Sequence, residues 1–141
     1  MTRAASVAPL PIVKLLLSCG GEVAGTDAVA QAVIGHNSGV LGRLEVVEFL
    51  IDNGAPIDAF AYNHSLVAGI AGLLNGLHLA AGEGKKDMVE LLLRRGADRN
   101  IKSTMFRPVL ALSTALELAE AKGFDSIAKL LREENSPMVY K

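Results

Sequence analysis

Three histidines, His36, His64 and His78, and one cysteine, Cys19, are the side chains of this 141-residue chain best suited to metal or nucleophilic chemistry. No pair of the histidines stands at metal-ligand spacing with acids nearby, so the pattern assigns no metal site. Cys19 ends an apolar segment and has no histidine beside it in sequence. That points to a buried or half-buried, inert thiol rather than a nucleophile. Gly20, Gly21 and Gly25 lie close together but lack the ordered spacing of a phosphate-cradling loop. No nucleophile elbow or kinase signature appears. These residues therefore assign no catalytic group and no cofactor.

Charge and aromatic side chains are more informative about binding. Residues 85–107 hold seven bases (Lys85, Lys86, Arg94, Arg95, Arg99, Lys102 and Arg107) against the three acids Asp87, Glu90 and Asp98. Two readings stand. The bases line a solvated outer face, or Arg99, Lys102 and Arg107 meet an acidic partner. The whole chain carries a net charge of -1, which argues against a nucleic-acid partner. Only six aromatics exist, and Phe60, Tyr62 and Phe106 fall in loop-like stretches. Tyrosine and arginine are favoured at interface hot spots. Phe60, Tyr62, His64, Met105, Phe106 and Arg107 are accordingly the candidate partner-binding residues.

The elements that must position these residues come from a repeat. One phrase recurs four times, as PIVKLLLSCGGEV (11–23), LEVVEFLIDNGAPID (44–58), DMVELLLRRGADRN (87–100) and DSIAKLLREEN (125–135). Its aligned positions Val13, Val47, Val89 and Ala128 are 34, 42 and 39 residues apart. A small-residue phrase precedes three of the four: TDAVAQAVIG (26–35), NGLHLAAGEG (75–84) and TALELAEAKG (114–123). The spacing of Val46, Val47, Phe49 and Leu50, and of Met88, Val89 and Leu91 to Leu93, predicts amphipathic helices. Alanines 28, 30, 32, 80, 81, 115, 119 and 121 predict closely stacked partners for them. Gly20, Gly54 and Gly96 follow the second helix, where a left-handed residue stops it cheaply. Each unit is helix, glycine turn, helix, glycine stop and extended loop. None buries its apolar face alone, so the units must stack.

At these residues the chain resembles ankyrin repeats. NGLHLAAGEGKKDMVELLLRRGADRN is close to that family's consensus over nearly a whole unit, with LHLAA (77–81), GAD (96–98) and LEVVEFLIDNGA (44–55) as specific signals. The resemblance implies an all-α solenoid of antiparallel helix pairs. It also implies projecting hairpin fingers and a concave, non-enzymatic protein-binding face of fingers and first helices. It further implies that His78 bonds neighbouring loop backbone. One domain spans 1–141, with units at about 2–25, 26–60, 61–102 and 103–135 and a tail at 136–141.

Departures from the family period carry further expectations. The first unit starts in mid-repeat, leaving Leu10, Ile12, Val13 and Leu16 with an uncovered face. Either residues 2–8 form a protecting turn, or this end mediates homo-oligomer formation. An insertion, HNSGVLG (36–42), separates the helices of the second unit. The fingers at 55–74 and 97–113 are long, and their extra stretches are apolar, with Leu66, Val67, Ile70, Leu73 and Leu74 in one and Val109, Leu110 and Leu112 in the other. Their apolar stretches are expected to extend the following first helices, with Ser65 an N-cap and Pro108 a first-turn residue.

Composition agrees with a folded intracellular chain, half of it hydrophobic and 21% of it charged. The uncharged run at 59–82 is broken by polar residues, and Lys14, Pro9 and Pro11 interrupt the N-terminal apolar stretch. Neither reads as a membrane span or an export signal. The expected function is recognition of another protein. A small-molecule binder or small pathway enzyme, with a pocket walled by the insertions beside His64 and His78, is one alternative. A self-associating structural protein is the other.

Overall fold

The computed structural model describes residues 8–22, 26–34, 40–63, 72–105 and 113–133. Among them are seven helices: α1 (Leu10–Ser18), α2 (Ala28–Ile34), α3 (Val40–Asp52), α4 (Gly76–Gly82), α5 (Lys86–Arg94), α6 (Ala115–Lys122) and α7 (Asp125–Glu133). Three short strands, β1 (Ala61–Asn63), β2 (Gly72–Leu74) and β3 (Thr104–Met105), form an antiparallel sheet in that order.

Each small-residue helix pairs with the amphipathic helix after it, giving α2/α3, α4/α5 and α6/α7. The pairs stack side by side. The closest packing runs through α2, α4 and α6, where Ala28, Ala30, Ala32, Ala80, Ala81, Ala115 and Ala119 are buried. Ala121 is exposed and lies outside that face. The second helices α1, α3, α5 and α7 form the other layer. They bury Val13, then Val46, Val47 and Leu50, then Met88, Val89 and Leu91 to Leu93, then Ile127, Ala128 and Leu131. The helical spacing of the apolar residues therefore maps directly onto the core.

Helix ends follow local chemistry. Pro11 sits in the first turn of α1, where no backbone donor is needed. Gly20, Gly54 and Gly96 adopt φ of 92°, 90° and 92° just beyond α1, α3 and α5. These left-handed stops are the ones expected at those positions. Thr114 and Glu117 form a capping box at the start of α6.

Four expectations require correction. The long fingers do not run as helix into α4 and α6. Gly72–Leu74 is a strand bonded on both sides, and helix begins only after the caps Asn75 and Thr114. Ser65 and Pro108 lie outside the described residues. Helix α3 begins at Val40, so the last three residues of the 36–42 insertion are helical rather than turn. Cys19 is exposed, because it occupies the C-cap of α1 beyond the contact with α3. Val13 is fully buried, because α3 covers its side of α1, whereas Ile12 and Leu16 are exposed as expected.

Candidate functional site

The first turn of α4 organises the finger region. Asn75 Oδ1 accepts the His78 backbone N–H at 3.0 Å, and His78 Nδ1 accepts the Asn75 backbone N–H at 3.2 Å. His78 Nε2 then donates to the Ile101 carbonyl at 2.7 Å. Because Nδ1 accepts, the ring proton must lie on Nε2, which fixes one neutral tautomer. Burial pushes the His78 pKa down, opposed by the bond to Ile101. Both nitrogens are thus committed to backbone, the structural role expected for this residue. The Asn75 Nδ2 amide, in contrast, is buried with no hydrogen-bond partner.

The sheet grows from this anchored turn. Ala61 pairs with Leu74, and both are buried against the helices. Strand alternation then turns Leu73 the other way, where it is 46% exposed. Leu73, on the central strand, has Tyr62 opposite it on β1 and Thr104 opposite it on β3. Met105 lies opposite Gly72, one register step away. Phe60 precedes β1 and stacks on the His78 ring, with centroids 6.1 Å apart and planes inclined by 29°. It is nevertheless 41% exposed, so one face is held and the remainder offered. The base of the next finger is closed by Ser103, whose N–H and hydroxyl both donate to the Ser113 carbonyl, at 2.8 and 3.0 Å.

Of the six candidate binding residues, the structure thus brings Phe60, Tyr62 and Met105 to one small sheet. His64, Phe106 and Arg107 lie outside the described residues, as do most residues of the two apolar insertions. Leu73 was missed, since its run of apolar neighbours reads as helix. The signal that could have found it is Asn75, a good N-cap residue that forbids the helix from starting earlier.

Several bases are tied to structure. Lys85 Nζ donates to the Val33 carbonyl at 2.6 Å and pairs with Glu83 at 2.7 Å. Arg99 Nη1 donates to the Leu131 carbonyl at 3.2 Å, and Arg95 pairs with Asp52. Two surface grooves, of about 330 and 320 Å³, lie between α3 and α5 and between α5 and α7. Both are on the second-helix layer, away from His78. Among the described residues no group of histidine, cysteine, aspartate or glutamate is arranged to hold a metal ion. Among the same residues no helix is long and apolar enough to cross a membrane.

The family model for the ankyrin repeat matches residues 75–104, the segment from the α4 cap through α5 to β3. The chain is an ankyrin-repeat protein. Its helix pairs, glycine stops and finger sheet are the ankyrin architecture, with the repeat's histidine anchoring one finger to the next. Ankyrin repeats generally mediate protein–protein interaction and are typically not enzymatic.

Proposed function

We propose that this ankyrin-repeat protein is a non-enzymatic recognition module that binds a protein partner on the face made by its fingers and first helices. The observation that supports it most directly is the exposed Leu73 at the centre of the finger sheet, with Tyr62 in register beside it and the half-covered Phe60 next to His78. A backbone already ordered by sheet hydrogen bonds loses little further entropy on binding. His64, Met105, Phe106 and Arg107 complete the proposed contact set. An intracellular setting accompanies this reading.

An affinity capture tests it, comparing the parent with a variant carrying Phe60→Ala, Tyr62→Ala, Phe106→Ala and Arg107→Glu, and with Leu73→Glu alone. Folding is checked by circular dichroism. Proteins retained by the parent and lost by both variants support the assignment. An identical set retained by all three well-folded forms refutes this face.

A further inference from the structure

The dipeptide Asn-Gly occurs twice in the sequence, as Asn53–Gly54 and Asn75–Gly76, and the fold places the two copies in opposite settings. Asn53 follows the last residue of α3, and both it and Gly54 are exposed. Gly54 turns the chain at φ of 90°, and among the described residues nothing lies within 4 Å of where its Cβ would stand. Three bonds hold this end of the helix. Asn53 Nδ2 donates to the Phe49 carbonyl at 2.8 Å, the Gly54 N–H to the Ile51 carbonyl at 3.1 Å, and the Ala55 N–H to the Leu50 carbonyl at 3.0 Å. All three belong to the final turn. Asn75, in contrast, is 1% exposed and caps α4. Gly76, the first residue of that helix, is buried against Val29, Val33 and Leu92.

We infer that Asn53–Gly54 is a site of spontaneous covalent modification, deamidation of Asn53 with water as the only co-reactant, and that the fold protects Asn75–Gly76 from the same reaction. The Gly54 nitrogen, once deprotonated by solvent, attacks Asn53 Cγ and closes a five-membered succinimide, while Nδ2 takes up a proton and leaves as ammonia. Water then opens the ring at either carbonyl, giving aspartate or its backbone-extended isomer, isoaspartate. Glycine favours the attack because it has no side chain to obstruct it. In the folded chain only the last turn of α3 must open, to free Nδ2 from Phe49 and the Gly54 nitrogen from Ile51. Helix ends open at small cost, whereas core segments open at a cost approaching that of global unfolding. At Asn75 the same rearrangement must break the α4 cap and admit water to a buried site. The product bears on the stack. Its new carboxylate meets the negative end of the α3 dipole. It also stands next to Asp52, whose pair with Arg95 ties α3 to α5. Isoaspartate lengthens the backbone just before the buried Ala55, where the finger carrying Phe60 and Tyr62 begins. The modified chain therefore holds that finger less firmly.

The full chain is incubated at body temperature in neutral and in mildly alkaline buffer and sampled over several weeks. Cleavage before aspartate separates the two sites, since Asp52 and Asp58 bracket Asn53 and leave Asn75 in the next fragment. Fragmentation mass spectrometry is expected to find amide exchanged for acid at Asn53, divided between aspartate and isoaspartate and formed faster in the alkaline buffer. The same exchange at Asn75 is expected to be at least about a hundredfold slower, the ratio set by core opening against fraying of a helix end. In urea beyond the unfolding transition the two rates should converge. Asn53→Gln should leave position 53 unmodified, because its longer side chain closes the ring less readily. Asn53→Asp, which installs the charged product, should melt below the parent. An Asn53 that stays intact in the folded chain, equal rates at the two sites in buffer, or product at Asn53 only in urea overturns the inference. An Asn53→Asp melt at or above that of the parent overturns the effect on the stack.

Discussion

Asn75 performs one useful task and carries one defect, and the two can be separated by substitution. Its Oδ1 caps α4 by accepting the His78 N–H, while its Nδ2 is buried without a partner. An N-cap bond of this kind is worth about 1 kcal/mol. A buried, unsatisfied donor costs about 1–3 kcal/mol. Threonine has a similar volume, accepts the same bond through its hydroxyl and has no amide donor. Asn75→Thr is therefore expected to stabilise the chain by about 1 kcal/mol, or about 4 °C in Tm for a domain of this size. Asn75→Ala loses the cap and the orphan donor together. It should stay within about 1 kcal/mol of the parent, below the threonine variant by the value of the cap. Urea denaturation followed by far-ultraviolet circular dichroism gives all three free energies at a common slope. A threonine variant no more stable than the parent would show that Nδ2 is satisfied. So would an alanine variant that loses more than about 2 kcal/mol.

Gly84→Ala places a side chain at φ of 75° and sets its Cβ 3.0 Å from the Phe124 ring, so a loss of about 2 kcal/mol is expected in thermal melts. Adding Phe124→Leu to Gly84→Ala should recover part of that loss, and an unchanged Tm for Gly84→Ala would refute the close approach. The depressed pKa of His78 makes its neutral form the one that supports the fold. Its contribution is complete above the unfolded value near 6.5 and is lost as pH falls below that toward the folded value. Urea midpoints should decline as pH falls from neutral through about 6.5 and below, and His78→Gln should flatten the decline. Asp58 behaves oppositely, since burial chiefly raises its pKa, against the Asp98 N–H bond and with the nearby Asp98 charge adding to the rise. Asp58→Asn keeps an oxygen acceptor for that N–H, so stability at neutral pH should hold within about 0.5 kcal/mol or improve. A larger loss in urea melts would contradict this account.

Much of the helical framework could be read directly. Apolar spacing identified the buried residues of α3 and α5, and the glycines after α1, α3 and α5 marked the stops, because both signals are local. The fingers were harder. Leu73 and Leu74 are both leucine, yet one is exposed and the other fully buried. Pairing with β1 and β3 decides this, and that information lies tens of residues away. Cys19 failed for a related reason, since apolar neighbours in sequence say nothing of whether a helix end is covered in space. At the candidate site, residue type and loop location selected Phe60, Tyr62 and Met105, and the sheet places them together. The same reasoning could not supply Leu73, because its exposure depends on register.

The side-chain bonds that cross between units have a mechanical consequence. Lys85 ties the end of α2 to the turn between α4 and α5, Asp58 ties one finger to the next through the Asp98 N–H, and Arg99 reaches the end of α7. Each spans only neighbouring units, as expected of a stack whose cohesion is nearest-neighbour. Tension applied to the termini would therefore load these ties in series. The molecule would yield as a zip fastener does, tooth by tooth from an end, with the α4–α5 unit, held from both sides, the last to let go.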